Sequence, residues 1–281
     1  MDNNAWWYVN GRWVHPHEAT ISLNDVAVLR GYSAFESLRT YHRQPFHLEE
    51  HLNRLYRSAE LIELAVPWSR AYITQLVHEI IERNIYVHAS IRLFVTGGET
   101  EDSILPLGKP TLAVLITPLG ERHMERFAQG YKVITTPLQR STPEAKTTSY
   151  LEAIRALKEA TRHDAVDALF VNAQGHVLEA TRSNFFVFRG NTLITPRDGV
   201  LLGITRDVVL ELAHGLFTIE ERPVLLAELP LVDEAFITSS SKEIMPVVQI
   251  DDLLIGNGTP GRQTYALEQR FIEMIEHSHL S

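Results

Sequence analysis

The chain contains no cysteine among its 281 residues. This absence excludes a disulfide scaffold, a thiol nucleophile and a cysteine-ligated metal ion. It agrees with a protein that works in a reducing compartment, and we predict no metal centre.

Long apolar runs and basic blocks are also missing. No run approaches the roughly 18 to 20 apolar residues of a membrane span, and the N-terminus has neither the cationic start nor the apolar stretch of a signal peptide. The net charge is -9, without a cluster of basic residues, which argues against a nucleic-acid partner. We therefore expect a cytoplasmic protein that binds neither nucleic acid nor membrane.

Lysine is scarce, because only five of the 26 basic residues are lysines: Lys109, Lys132, Lys146, Lys158 and Lys242. A lysine amine can lose its proton and attack a carbonyl, which an arginine cannot do. Lys146 stands among small hydroxyl residues in Ala145-Lys146-Thr147-Thr148-Ser149 and directly precedes a predicted helix. Taken alone it is an ordinary loop lysine; our hypothesis is that it forms a Schiff base with a carbonyl cofactor.

The pattern of elements predicts a mixed α/β chain with two domains and a linker: residues 1–118, 119–130 and 131–281. The first domain opens with a hairpin at Asn10-Gly11 and should contain an antiparallel sheet. A strand over residues 34–41 alternates between two faces, and one face carries Phe35, Ser37 and Arg39. Glu36 lies on the other face.

Helix signals are clear at several places. Apolar spacing predicts helices over residues 49–63 and from the N-cap Ser69 to about residue 84. After Lys146, a helix is expected to bury the stripe Leu151, Ile154, Leu157 and Ala160.

Four further features could bind an anionic aromatic cofactor. Gly203-Ile204-Thr205 precedes a helix whose N–H groups and positive dipole end suit a phosphate. Arg54, on the first long helix, and the run Ser239-Ser240-Ser241 could donate to the same phosphate. Glu179 lies in an apolar strand, where a carboxylate could keep a pyridine nitrogen protonated. Each has a plain structural alternative: a helix cap, a surface arginine, a polar turn or a solvent-facing glutamate.

Taken in order, these motifs resemble the fold-type IV (class IV) pyridoxal-phosphate enzymes over nearly the whole chain. That family includes branched-chain aminotransferases, D-amino acid transaminases, (R)-selective amine transaminases and aminodeoxychorismate lyase. The matching motifs are Arg54, Lys146 to Tyr150, Leu178-Glu179-Ala180, Ser183-Asn184-Phe185-Phe186, Gly203-Ile204-Thr205-Arg206 and Thr238 to Pro246.

The resemblance implies a role for each residue. Lys146 would be the Schiff-base lysine and the acid/base that moves a proton between substrate and cofactor. Glu179 would hold the pyridine nitrogen and Tyr150 the ring hydroxyl, although branched-chain members have one more residue between lysine and tyrosine. The phosphate of pyridoxal 5'-phosphate would be bound by Arg54, Ile204, Thr205, Ser240 and Ser241.

The resemblance also implies an architecture. It comprises a small N-terminal α/β domain, a larger C-terminal pseudo-barrel domain and a cofactor in the cleft between them. The family further implies a homodimer in which a loop of one subunit completes the pocket of the other.

The substrate is less closely defined. Arg30 and Arg92, with Thr96-Gly97-Gly98, resemble a less common group of D-amino acid transaminases, and these arginines could bind a substrate carboxylate. Phe35, Ser37 and Arg39 would line the same pocket. We therefore expect a transaminase that uses a D-amino acid and a 2-oxo acid such as 2-oxoglutarate or pyruvate. Branched-chain L-amino acid and (R)-amine transaminases remain alternatives, as does an aminodeoxychorismate lyase.

Overall fold

The computed structural model describes residues 2–120 and 124–278, and the chain forms two compact units. The first unit comprises Met1–Glu121 and Ala145–Ser149, and the second comprises Arg122–Glu144 and Tyr150–Ser281. Residues 121–123 of the predicted linker lie outside the described ranges. In the same stretch, Met124–Gln129 form a helix.

The sheet of the first unit is antiparallel throughout, as predicted. Its six strands follow the order β2-β1-β6-β5-β3-β4. The hairpin at Asn10-Gly11 is confirmed, since both residues have the positive φ of a tight hairpin turn. The strands are β1 (Trp7–Val9), β2 (Arg12–Val14), β3 (Ser33–Tyr41), β4 (Gln44–Pro45), β5 (Ala89–Thr96) and β6 (Thr111–Pro118).

Three helices belong to this unit: α1 (Val26–Arg30), α2 (Leu48–Leu61) and α3 (Arg70–Arg83). Ser69 caps α3 as predicted, because its hydroxyl accepts from the N–H of Tyr72. Helix α1 was not predicted; its N-cap is Asp25, whose carboxylate accepts from the N–H of Ala27. The apolar faces of α2 and α3 and one face of the sheet form a single core.

The segment that carries Lys146 pairs with the edge of β3. The N–H of Phe35 donates to the carbonyl of Lys146 (2.9 Å), and the N–H of Thr148 donates to the carbonyl of Ser33 (3.3 Å). The N–H of Lys146 donates to Ser58 Oγ on α2 (3.0 Å). The backbone of Lys146 is therefore bonded to both a strand and a helix of the first unit.

The sheet of the second unit closes on itself. The strands β10-β14-β15-β7-β8-β9 form a ring, because β9 pairs with both β8 and β10. An apolar cluster fills its interior, as expected for the larger pseudo-barrel. The ten strands are β7 (Tyr131–Thr136), β8 (Asp167–Val171), β9 (His176–Ala180), β10 (Ser183–Arg189), β11 (Thr192–Thr195), β12 (Thr218–Glu221), β13 (Val224–Leu225), β14 (Glu234–Ser239), β15 (Glu243–Ile250) and β16 (Leu253–Leu254).

The helices of the second unit pack outside this ring. They are α4 (Met124–Gln129), α5 (Leu151–Arg162), α6 (Ile204–Ala213), α7 (Arg262–Ser278) and a 3-10 helix, Leu226–Leu231. None of the helices in residues 2–120 and 124–278 combines the length and apolar character needed to cross a membrane.

The predicted buried face of α5 is only partly right, since Ala160 is buried and Leu157 is half-buried. Its buried residues are Ala153, Ala156 and Ala160, whereas Leu151 is 63% exposed and Ile154 is 50% exposed. Small alanine side chains let the helix approach β7 and β8 closely, so the alanine stripe rather than the leucine stripe faces the sheet.

Candidate functional site

Lys146 presents its amine to an aromatic ring. Its Nζ atom lies 4.6 Å from the centroid of the Phe35 ring. The side chain is half-buried, and the backbone is held at the β3 edge by the bonds described above. Next to it, the hydroxyls of Ser33 and Thr148 are hydrogen-bonded to each other. The lysine therefore occupies a defined position on one face of the sheet, unlike a mobile loop residue.

Four of the predicted substrate residues share that face. The Phe35 ring stacks on Phe94 of β5, with 5.7 Å between centroids, and Ser37 lies opposite Arg92 in the strand register. Arg39 is buried, and its guanidinium lies 4.2 Å from the centroid of the Tyr41 ring. The sheet thus brings Phe35, Ser37, Arg39 and Arg92 together with the Lys146 amine.

Arg30 is not on this face of the sheet but at the C-terminal end of α1. It is exposed, and its Nη1 donates to the carbonyl of Leu29 (2.8 Å). A basic side chain in the last turn also interacts favourably with the helix dipole.

The opposite face of β3 carries a buried ion pair. Glu36 is fully buried, and its carboxylate accepts from Arg54 Nε (2.7 Å) and Arg54 Nη2 (2.9 Å). His51 Nδ1 lies 2.7 Å from the same carboxylate. Burial alone raises the pKa of Glu36, but the charge and hydrogen bonds of Arg54 and His51 outweigh it and hold the pKa well below its usual range. Arg54 is thus fixed in orientation by its bidentate pair with Glu36.

Glu36 and His51 were not predicted as site residues. One signal was present in the sequence: strand alternation places Glu36 between Ala34 and Leu38 on the core-facing side. A carboxylate on such a face requires a cationic or hydrogen-bonding partner. The identity of that partner depends on how α2 packs on β3, which the sequence pattern does not specify.

In the second unit, Glu179 is also buried, and each of its carboxylate oxygens accepts a hydrogen bond. Its Oε1 accepts from Arg140 Nη1 (2.9 Å), and its Oε2 accepts from the N–H of Leu201 (3.0 Å). The solvent-facing interpretation of Glu179 is therefore wrong. Arg140 was missed, because it lies in a polar loop with no periodic or motif signal.

The N-terminus of α6 is shaped by Gly203 and Asn184. Gly203 is the N-cap and provides no capping side chain. A Cβ at Gly203 would lie 2.1 Å from Asn184 Oδ1, so any larger residue would clash. Ile204 and Thr205 follow as the first helical residues, both buried. Across the strand register from Asn184, the buried Thr238 Oγ1 has no hydrogen-bond partner among the described residues.

Ser240 and Ser241 lie in the short turn between β14 and β15. The turn is closed in part by the N–H of Lys242, which donates to Ser239 Oγ (3.2 Å). Tyr150 is half-buried at the N-cap position of α5 and packs against the apolar cluster beneath that helix.

Comparisons with known proteins agree on one family. The model described as "Amino-transferase class IV" matches residues 33–250. A Methanocaldococcus jannaschii protein that carries a provisional branched-chain-amino-acid aminotransferase name is 34% identical, with 94% of both chains covered. A D-alanine aminotransferase of Listeria monocytogenes is 31% identical, with 95% of both chains covered. The solved structure of the T.th. branched-chain amino acid aminotransferase with pyridoxamine 5'-phosphate is 28% identical. It superposes with a TM-score of 0.92 and covers 97% of this chain and 94% of that one.

Replacing Glu36 with Gln should destabilise the first unit, because it leaves the Arg54 guanidinium without its buried counter-charge. We expect the free energy of unfolding to fall by about 3 to 5 kcal/mol in urea titrations. Glu159→Gln is the matched control, since Glu159 pairs with Arg162 on an exposed helix face and its loss should change nothing measurable. Equal stability of the Glu36 variant and the wild type would contradict the buried pair.

The pH dependence of stability should report on His51. Burial lowers the pKa of His51, and the neighbouring Glu36 only partly opposes this. The unfolded chain therefore binds a proton at His51 at a higher pH than the folded chain does, so stability falls as the pH drops below about 6.5. In His51→Gln, the loss of stability between about pH 7.5 and pH 5.5 should be smaller than in the wild type. His163 is exposed, so His163→Gln is the control and should lose as much stability over this pH range as the wild type. If His51→Gln also loses as much stability as the wild type, His51 is not the cause of the pH dependence.

Proposed function

The chain belongs to the class IV aminotransferase family, and on that premise we propose that it transfers an amino group between a D-amino acid and a 2-oxo acid. The family predicted from the sequence motifs is confirmed, and class IV aminotransferases use pyridoxal 5'-phosphate, as predicted. The mixed α/β fold with a closed sheet also matches that family. The individual residue roles and the choice of amino acid are our proposals.

The residues around α6 fit a phosphate. Its N-terminal N–H groups have no side-chain cap from Gly203, and the nearby Thr238 Oγ1 is a buried polar atom without a partner among the described residues. A phosphate dianion supplies acceptors for such groups. We propose that Ile204, Thr205, Ser240, Ser241 and Arg54 bind the phosphate, with Arg54 held in place by Glu36.

Glu179 fits the pyridine nitrogen. It is buried, and the hydrogen bonds that it accepts from Arg140 and Leu201 fix the orientation of its carboxylate. An ionised carboxylate would keep the ring nitrogen protonated, and Tyr150 would hold the ring hydroxyl. When bound, pyridoxal 5'-phosphate supplies a ring that accepts the electron pair left behind when the substrate loses its α-proton.

Lys146 is proposed as the residue that attaches the cofactor and moves the proton. For this task its Nζ must be able to lose a proton near neutral pH. The Phe35 ring centroid lies 4.6 Å from Nζ and the side chain is half-buried, so the amine has a defined position beside an aromatic face. Nζ would then take the α-proton from the substrate and deliver it to the other reacting carbon.

Lys146→Ala should abolish both turnover and the absorbance band of bound pyridoxal 5'-phosphate, because the Lys146 amine is the group proposed to form the Schiff base with it. The measurement is an absorbance spectrum of the reconstituted variant together with a transamination assay. Lys158→Ala is the control, since Lys158 is exposed on α5, and should behave like the wild type. A persistent band or persistent turnover in Lys146→Ala would refute the assignment.

We propose a substrate with a carboxylate because Arg92 lies on the same sheet face as the Lys146 amine. Arg92 lies opposite Ser37 in the strand register, two positions from Phe35, whose ring centroid is 4.6 Å from Nζ. Residues two apart on a strand are roughly 7 Å apart, a distance that an arginine and an amino acid can span together. We propose that Arg92 binds the α-carboxylate while Phe35, Ser37 and Arg39 line the pocket, and that Arg30 reaches into the pocket of the neighbouring subunit.

Support for the D-enantiomer comes from the Arg92 and Thr96-Gly97-Gly98 pattern and from the Listeria relative named as a D-alanine aminotransferase. The relatives named as branched-chain aminotransferases support L-amino acids instead, which makes stereochemistry the decisive test. A homodimer with shared pockets and a cytoplasmic location are further parts of the proposal, and they rest on the resemblance and the composition alone.

Half-reactions should separate these substrates. With D-alanine, D-leucine, L-leucine and an (R)-amine added one at a time, the D-amino acids should shift the cofactor absorbance to that of the amine form. If L-leucine shifts the cofactor absorbance and the D-amino acids do not, the protein is a branched-chain L-amino acid transaminase. Release of pyruvate from aminodeoxychorismate without a 2-oxo acid acceptor would establish the lyase.

Arg92→Ala should weaken the amino acids while sparing the (R)-amine, because only the amino acids carry a carboxylate. We expect kcat/KM for the amino acid to fall by about 10- to 100-fold. An equal loss for both substrates would mean that Arg92 is structural.

A further inference from the structure

A further buried carboxylate with a cationic partner lies in the second unit, at the start of β8. Asp167 is fully buried. Its Oδ1 accepts from the N–H of Ala168 (2.9 Å) and from both the N–H (3.1 Å) and the hydroxyl of Thr181. Its Oδ2 accepts from Lys242 Nζ at 2.9 Å. A buried carboxylate needs such a counter-charge, and Lys242, at 20% side-chain exposure, is itself largely withdrawn from water.

The partners of Asp167 lie in two loops that the proposed function uses separately. Thr181 begins the turn between β9 and β10, two residues after Glu179. Lys242 ends the turn between β14 and β15, directly after Ser240 and Ser241. One carboxylate therefore connects the loop next to the ring-nitrogen residue with the loop proposed to bind the phosphate.

The turn between β14 and β15 leads into a backbone conformation that depends on support from neighbouring contacts. Glu243, which follows Lys242, has a φ of 57°, in the left-handed region that non-glycine residues rarely adopt. Such a conformation persists only where surrounding contacts enforce it. The ion pair to Asp167 and the bond from the Lys242 N–H to Ser239 Oγ are contacts of that kind.

We propose that Asp167 and Lys242 are positioning residues that fix the spacing between Glu179 and the Ser240–Ser241 turn. The inference rests on the proposed function, because it concerns how the pyridine nitrogen and the phosphate are held at the same time. Neither residue is assigned contact with the substrate. Loss of the ion pair should therefore weaken the binding of pyridoxal 5'-phosphate more than it slows the reaction of protein saturated with it.

The test compares Lys242→Met, which removes the charge, with Lys242→Arg, which keeps it, and with Lys158→Met as a matched lysine control. The cofactor is removed, and the Kd for pyridoxal 5'-phosphate is measured by absorbance titration. The inhibition constant of inorganic phosphate against this binding, the value of kcat at saturating cofactor and the thermal unfolding of the cofactor-depleted protein are measured in parallel. Thr181→Val is a milder variant, which keeps the test usable if Lys242→Met does not fold.

For Lys242→Met we expect the Kd to rise by about tenfold or more, and for Thr181→Val by about threefold, since a bond to a charged group is being lost. Inorganic phosphate should compete less well in both variants, while kcat at saturation stays within about twofold. Lys242→Arg should recover most of the affinity, and Lys158→Met should match the wild type.

A wild-type Kd in the variants that fold would overturn the inference, and so would a loss of thermal stability with no change in cofactor affinity. Failure of the proposed function has a different signature. In that case the wild-type protein would bind pyridoxal 5'-phosphate, but D-amino acids would not shift the absorbance of the bound cofactor, whatever residue stands at position 242.

Discussion

Burying a carboxylate in a protein is unfavourable unless cations and N–H donors replace the lost water, and this requirement organises both units. Glu36, Glu179 and Asp167 are each nearly or fully buried on a strand, and each has a cationic partner. The partners are Arg54, Arg140 and Lys242, which come from elements far away in the sequence. Each pair therefore fixes one loop or helix against a strand. The segments that these pairs hold are the ones that carry the proposed cofactor residues.

The Lys146 segment shows a second way to hold a reactive side chain. Its backbone continues the hydrogen bonding of the sheet at the β3 edge, and α2 contributes one further bond through Ser58. An amine on such a rigid segment needs little reorganisation before it reacts. The neighbouring strands then supply the residues that could select the substrate, since β3 and β5 present Phe35, Ser37 and Arg92 on the same face.

Features with a local cause could be predicted from the sequence. The hairpin at Asn10-Gly11, the Ser69 cap and the helix after Gly203 depend on residues within a few positions of one another, and the structure has all three. The ion pairs could not be predicted, because Arg140 and Glu179 are 39 residues apart and their meeting depends on the whole fold. The buried face of α5 was predicted only in part, at Ala160, for another reason: apolar character pointed to Leu151 and Ile154, whereas close packing against the sheet favours alanine.

The central claim is that one lysine of five attaches the cofactor. It is tested most directly by reducing the protein loaded with pyridoxal 5'-phosphate with borohydride, digesting it and locating the modified peptide by mass spectrometry. We predict a phosphopyridoxyl group on Lys146. A group on Lys109, Lys132, Lys158 or Lys242 instead, or none on any lysine, would contradict it.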